Sequence, residues 1–166
     1  RALDMASEHP WTYVEKSCLL EIEDRFDDAL AAARHALEIR PWFRPALAIA
    51  AHLLQIIGND RGALDLLQQG NRVLESGHLV LQLADLQQEL GLHGEARENL
   101  EKLPALLPLL DSRAASWLAG RRADAAYHCG DIAETLRLAA EAKMPYSEAV
   151  RANILAAPPD ARRVLL

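Results

Sequence analysis

Six histidines, two cysteines and one dense run of acids are the side chains in this 166-residue chain with the types and spacing to do chemistry. The histidines are His9, His35, His52, His78, His93 and His128, and no two stand four apart. No helical face therefore offers a metal two imidazoles, and no HExxH arrangement occurs. Cys129 follows His128, but neighbours on a helix point about 100° apart and cannot form the hydrogen bond that a thiol nucleophile needs from its base. Cys18 and Cys129 lie far apart without a CxxC pair, which points to free thiols in a reducing cytosol rather than a disulfide framework or a zinc knuckle. The acids from Glu21 to Asp28 are better explained by a solvated turn and a helix start than by acid–base work. A glycine-rich phosphate loop is missing too. The chain reads as non-enzymatic, with no cofactor and no metal.

The same inventory narrows the partners. Net charge is −6, with 24 acids against 18 bases, and the longest basic runs are the pairs Arg121-Arg122 and Arg162-Arg163. Such a surface does not suit a phosphate backbone, so nucleic acid is excluded as the expected partner. Apolar runs fall well short of the roughly 18 residues of a membrane span, so no membrane insertion is expected. Hydrophobic residues make up 51% of the chain, yet only eight are aromatic, and alanine and leucine dominate, which favours an all-α fold. The opening "RALDMASEHP" lacks the zones of a signal peptide. Residues 2–8 read as the tail of an earlier helix and "DARRVLL" as an exit into another domain. Both edges suggest a piece of a longer protein.

The elements that must position any site announce themselves in residues 25–41, "RFDDALAAARHALEIRP". Ala29, Ala33 and Ala36 put three methyls on one helical stripe, where another backbone approaches closely, and Pro41 ends the helix. Thirty-four residues after Asp24 comes Gly58, and thirty-three after that Gly91; each is followed five places on by an alanine, Ala29, Ala63 and Ala96. A fourth copy starts at Gly130, with Thr135 in the alanine's place. A period near 34 with two helices per unit is the mark of a helical repeat array.

On these residues the sequence resembles the tetratricopeptide repeat family over roughly residues 10–145. The first unit, about 10–43, carries Tyr13, Ser17, Leu20, Asp24, Phe26, the alanine stripe and Pro41. The second, about 44–76, keeps Leu47, Ala51, Leu54, Gly58, Ala63 and Leu67 but has Gly70 at the third crossing position. The third, about 77–115, has Gln87 where a large apolar residue is expected; the fourth, about 116–145, has Arg122 where leucine is expected. Gly91 to Gly130 spans 39 residues, and the excess is placed in "LEKLPALLPLLDSR", with the helix ending or kinking near Leu103 and a largely buried turn through Leu106, Leu107, Leu109 and Leu110. Ser147 is read as the cap of a final helix, about 146–156, covering the open end of the stack, and 157–166 as the exit segment. Residues 1–166 are thus read as one domain.

The resemblance implies a right-handed superhelical array of antiparallel helix pairs whose concave face, lined by the first helix of each unit, binds a protein or peptide. On the faces not claimed by packing, the candidates are Trp11, Cys18, Glu21, Ile22, His52, Gln55 and Ile56, then His78, Leu81, Asp85 and Gln88, and in the last unit Trp117, Arg121, Asp124, Tyr127 and His128. Rings, amides and a few charges suit an extended peptide or a partner helix, although large rings such as Trp11 and Trp117 also serve burial. Some members of the family grip a C-terminal carboxylate with a basic and asparagine clamp; the matching positions are Val14 and Cys18, so that clamp is absent. Two other roles follow from the edges. The tail faintly resembles the approach to a papain-like cysteine peptidase domain in some bacterial tetratricopeptide proteins, which would make the chain an accessory or regulatory domain of an enzyme fused C-terminal to it. Apolar array ends would also permit a homo-oligomer.

Overall fold

A computed structural model describes residues 9–107 and 111–156. The proposed exit segment 157–166, the tail at 2–8, and Leu109 and Leu110 of the expected buried turn lie outside the described residues. Among the described residues the structure is all-α, with no strand. Its helices are α1 (Pro10–Ile22), α2 (Phe26–Ile39), α3 (Arg44–Ile56), α4 (Asp60–Val73), α5 (Gly77–Glu89), α6 (His93–Leu106), α7 (Ser112–His128), α8 (Ile132–Ala142) and α9 (Pro145–Ala156). Among the described residues no helix is long and apolar enough to cross a membrane. The chain forms two compact units, one up to Leu86 and one from Gln87.

One turn recurs four times. Asp24, Gly58, Gly91 and Gly130 all take left-handed φ values between 58° and 76°. At each, the turn residue's N–H returns to the carbonyl three back and the next N–H to the carbonyl five before it, as in Gly58 to Gln55 at 2.9 Å and Asn59 to Leu54 at 2.7 Å. These two bonds satisfy carbonyls that the helix end would otherwise leave bare. The chain then reverses into the second helix, so α1 packs on α2 and α3 on α4 in the first unit, and α7 on α8 in the second.

Small residues sit at the helix crossings. Ala29, Ala33 and Ala36 are fully buried, as is Ser17, whose hydroxyl donates to the Ala29 carbonyl at 2.8 Å. Gly70 serves the same end. A β-carbon there would stand 3.3 Å from a Leu47 methyl, so this crossing is tighter than an alanine would leave it. Around these contacts the first unit builds an aliphatic core from Leu20, Leu30, Leu47, Leu53, Leu54, Leu67, Leu79, Leu83 and Leu86.

Three local expectations are corrected. The helix containing Pro104 runs on to Leu106 without ending near Leu103, because the proline lies in the last turn, where only two residues follow it, and the Leu107 N–H still reaches Leu103 at 2.8 Å. Leu106 and Leu107 are half-buried. The extra length of the third period goes largely into α7, which has 17 residues where α1, α3 and α5 have 13. Ser147 is not a cap either: α9 starts at Pro145, whose fixed φ suits a first turn, and Ser147 is buried inside the helix.

Pro41 does what its sequence position suggests. α2 stops at Ile39, and Arg40 is extended with ψ 97°. The next residue but one departs from expectation. Trp42 has φ 61°, a left-handed conformation that costs a residue with a β-carbon roughly 1–2 kcal/mol.

Candidate functional site

In the first unit the first helices lie side by side: α1 packs on α3, and α5 reaches α3 through the Gln82 amide, which donates to the Ala48 carbonyl at 2.9 Å. Their free faces bring several of the candidate residues together. Glu21 on α1 and His52 on α3 meet directly, with His52 Nε2 3.0 Å from Glu21 Oε1. This contact joins two successive repeats 31 residues apart on an exposed surface. Cys18 lies exposed one turn before Glu21; desolvation pushes its thiol pKa up and the Glu21 carboxylate adds to the effect. Gln55 is half-buried one turn after His52, and Ile22 and Ile56 are exposed beside them. Along α5, His78 is exposed while Leu81 and Asp85 are half-buried.

Trp11 stands apart from that group. It is 48% exposed at the start of α1 and meets Phe43 edge-on at 5.4 Å. With Arg40, Trp42, Arg44, Pro45 and the loop Leu74–Ser76 it borders a cleft of about 360 Å³ on the loop side of the unit.

In the second unit α7 supplies Asp124, Tyr127 and His128 to one cleft of about 320 Å³, closed on the other side by Tyr146, Val150, Asn153 and Ile154 of α9. Tyr127 packs edge-on against His128, and the His128 ring stacks on His93 of α6 at 4.3 Å. Trp117 is not with them; it lines a different cleft with Asp111–Ala114 and Ala142–Met144. Arg121 is half-buried on α7, and Gln88 is half-buried with its side-chain amide making no hydrogen bond among the described residues. The expected departures from the repeat pattern are absorbed differently. Gln87 is 2% exposed and fully engaged, donating to Glu95 at 2.9 Å and accepting from Asn99 at 2.8 Å. Arg122 is half-buried, with an Nε that has no hydrogen-bond partner among the described residues.

Paired helices, a left-handed residue turning each first helix into the second, and small residues at the crossings of the first unit, repeated at about 34 residues, decide the fold. It is the tetratricopeptide-repeat fold. Solved structures of similar shape include YrrB, described as a TPR protein with an unusual peptide-binding site, at 20% identity and TM-score 0.69 over 85% of this chain and 71% of that one. Pseudomonas aeruginosa PilF superposes with TM-score 0.73 at 14% identity, over 92% and 69% of the two chains. A kinesin light chain from Podosopora anserina with nearly identical TPR-like repeats does so with TM-score 0.66 at 20% identity, over 91% and 79%. No protein-family model matches the sequence, and no curated protein matches it.

Within tetratricopeptide-type units the sequence missed two groups of side chains. Tyr146 and Asn153 fall in the helix read as a cover for the stack, yet they form one wall of the α7 cleft. In residues 40–45, "RPWFRP", the sequence reading uses only Pro41, as the helix stop. Two aromatics and two arginines within six residues of an aromatic-poor chain were the available signal.

Proposed function

We propose that this chain is a protein-interaction scaffold that takes an extended peptide or a partner helix on the free faces of its first helices. One observation carries the reading. Glu21 and His52 come from consecutive repeats and share a hydrogen bond on the surface, so a ligand lying across α1 and α3 meets a preassembled donor–acceptor pair. Cys18 and Gln55 flank the pair, and in the second unit Asp124, Tyr127 and His128 supply a ring-lined cleft with a carboxylate at its edge. A similar fold in YrrB, whose description names a peptide-binding site, supports the class of ligand.

The test is selection of a displayed random 12-residue peptide library against the whole chain, followed by affinity measurements on the enriched peptides. Glu21→Ala, His52→Ala and Tyr127→Ala should each keep the helical circular-dichroism spectrum. At least one should weaken an enriched peptide by about fivefold or more, within the usual range for truncating a contact residue. A library that yields no enriched peptide, or peptides bound equally by all three variants, would remove the reading.

A further inference from the structure

The loop-side cleft of the first unit has the makings of a separate binding site. Its rim carries Arg40 and Arg44, neither of which forms an ion pair among the described residues. Arg40 holds its guanidinium carbon over the Phe43 ring, 5.4 Å from its centre, a contact that uses the ring face and none of the N–H donors. Among the described residues Glu75 is the only acid on the cleft wall, against the two arginines, in a chain whose net charge is −6. Phe43 is buried, whereas Trp11 and Trp42 remain exposed beside it.

Two features say that this arrangement is more than a solvated turn. Trp42 adopts φ 61°, which a glycine would take without strain, and it holds a large ring at the mouth of the cleft instead. Strain of this kind persists where surrounding structure enforces it and gathers at binding sites. Ser76, buried on the same cleft wall just before α5, has a hydroxyl with no hydrogen-bond partner among the described residues. Buried hydroxyls are rarely left so.

We propose that this cleft binds an acidic peptide segment, a carboxylate side chain between Arg40 and Arg44 with an apolar neighbour on the Trp11 and Trp42 rings. Guanidinium groups take carboxylates bidentately, and a cleft of about 360 Å³ has room for one acidic side chain and its neighbour. The site lies on the loops that join repeats, apart from the helix faces of the preceding section, and either can fail without the other.

The probe is a fluorescein-labelled hexapeptide of alternating aspartate and leucine, with a lysine-for-aspartate twin, titrated by anisotropy against the whole chain. The aspartate peptide should bind and quench tryptophan fluorescence, its affinity should fall as salt rises, and the lysine twin should bind at least tenfold more weakly. Arg44→Gln and Arg40→Gln should each weaken the aspartate peptide about tenfold, as expected for losing a charge-assisted hydrogen bond. Trp42→Gly separates binding from folding. It should leave the thermal midpoint unchanged or higher, because glycine accepts the left-handed backbone, while still weakening the peptide. Equal binding of the two peptides, or parent-like affinity in the arginine and Trp42 variants, would overturn the proposal. Displacement of the peptide by inorganic phosphate at concentrations where free glutamate leaves it bound would also overturn it, assigning the site to phosphate groups.

Discussion

Four residues before each left-handed turn residue, the first unit places Leu20 and Leu54, whereas the second places Gln87 and Ala126. All four are buried. The first unit answers this register with leucine packed into a continuous aliphatic cluster, a non-directional solution that tolerates small shifts. In the second unit Gln87 is tied to Glu95 and Asn99, Thr135 returns a hydrogen bond to the Asp131 carbonyl at 2.8 Å, and His93 Nδ1 and Arg122 Nε are buried without hydrogen-bond partners among the described residues. One backbone plan thus runs on two chemistries. The second depends on geometry, since a buried polar group is stabilising only while its partners stay in place.

The largest expected effect follows at this shared position. Leu54→Ala deletes a buried side chain from the first unit's cluster and should cost about 2–5 kcal/mol, read as a lower urea midpoint and faster hydrogen exchange concentrated in residues up to Leu86. Gln87→Ala should cost less, about 1–3 kcal/mol, with the loss concentrated from Gln87 onward, because it leaves Asn99 without its acceptor and Glu95 without its donor. Equal losses at the two sites would erase the distinction between an aliphatic and a polar residue at this register. Gln87→Leu sharpens it further. It restores the repeat's usual apolar residue, and if the amide bonds matter it should fail to stabilise the chain.

How much of this was legible follows the same division. Alanines and leucines announced the first unit because helical spacing alone places them on the buried stripe, and the turn residues Asp24, Gly58, Gly91 and Gly130 announced every reversal because few side chains accept a left-handed backbone. The second unit was harder to read. Gln87 looks like a defect in the pattern until Glu95 and Asn99 are seen beside it, and those partners lie in the next helix, where no local rule connects them. Of the candidate surface, Cys18, Glu21, His52 and Gln55 could be found by asking which helix faces packing leaves free. The wall that α9 gives the α7 cleft could not, because it depends on how the last helix folds back against a neighbour.

A smaller effect concerns the turns themselves. Gly91→Ala should destabilise by about 1–2 kcal/mol, although a β-carbon there would meet nothing within 4 Å, so the whole cost is conformational. Asp24 already carries a β-carbon at φ 58°, and Asp24→Ala should change stability by less than about 0.5 kcal/mol beyond its surface charge. Thermal midpoints of the two variants measure the difference directly. If both fall equally, the first turn is held by the Asp24 side chain and not by tolerance of its backbone.

The smallest effect compares the residues that follow the second and fourth turns. Asn59 caps α4 by accepting from the Gly62 N–H at 3.0 Å, while Asp131 caps α8 by accepting from the Glu134 N–H at 3.1 Å and also takes a hydrogen bond from Arg97 at 2.9 Å. The Glu134 N–H, and then the Arg97 guanidinium, hold the Asp131 carboxyl below its ordinary pKa, and Arg137 does the same for Glu134. Both carboxyls bind a proton less readily folded than unfolded. Their stabilisation is therefore present above the ordinary carboxylate range, about pH 4, and is lost as pH falls through the depressed folded values. The Arg97 and Asp131 side chains are 31% and 37% accessible, so solvent screening keeps the pair's contribution below about 1 kcal/mol. An amide cap does not titrate, so acid should loosen the start of α8 and leave the start of α4 unchanged. In an NMR titration from pH 6 to 2.5 the Glu134 amide should shift with a midpoint below about 4 while the Gly62 amide moves little, and Asp131→Asn should remove the Glu134 response. A Glu134 midpoint at or above the ordinary carboxylate value would mean that the Arg97–Asp131 contact does not persist in solution, and the second unit would then lose its ionic link between α6 and the start of α8.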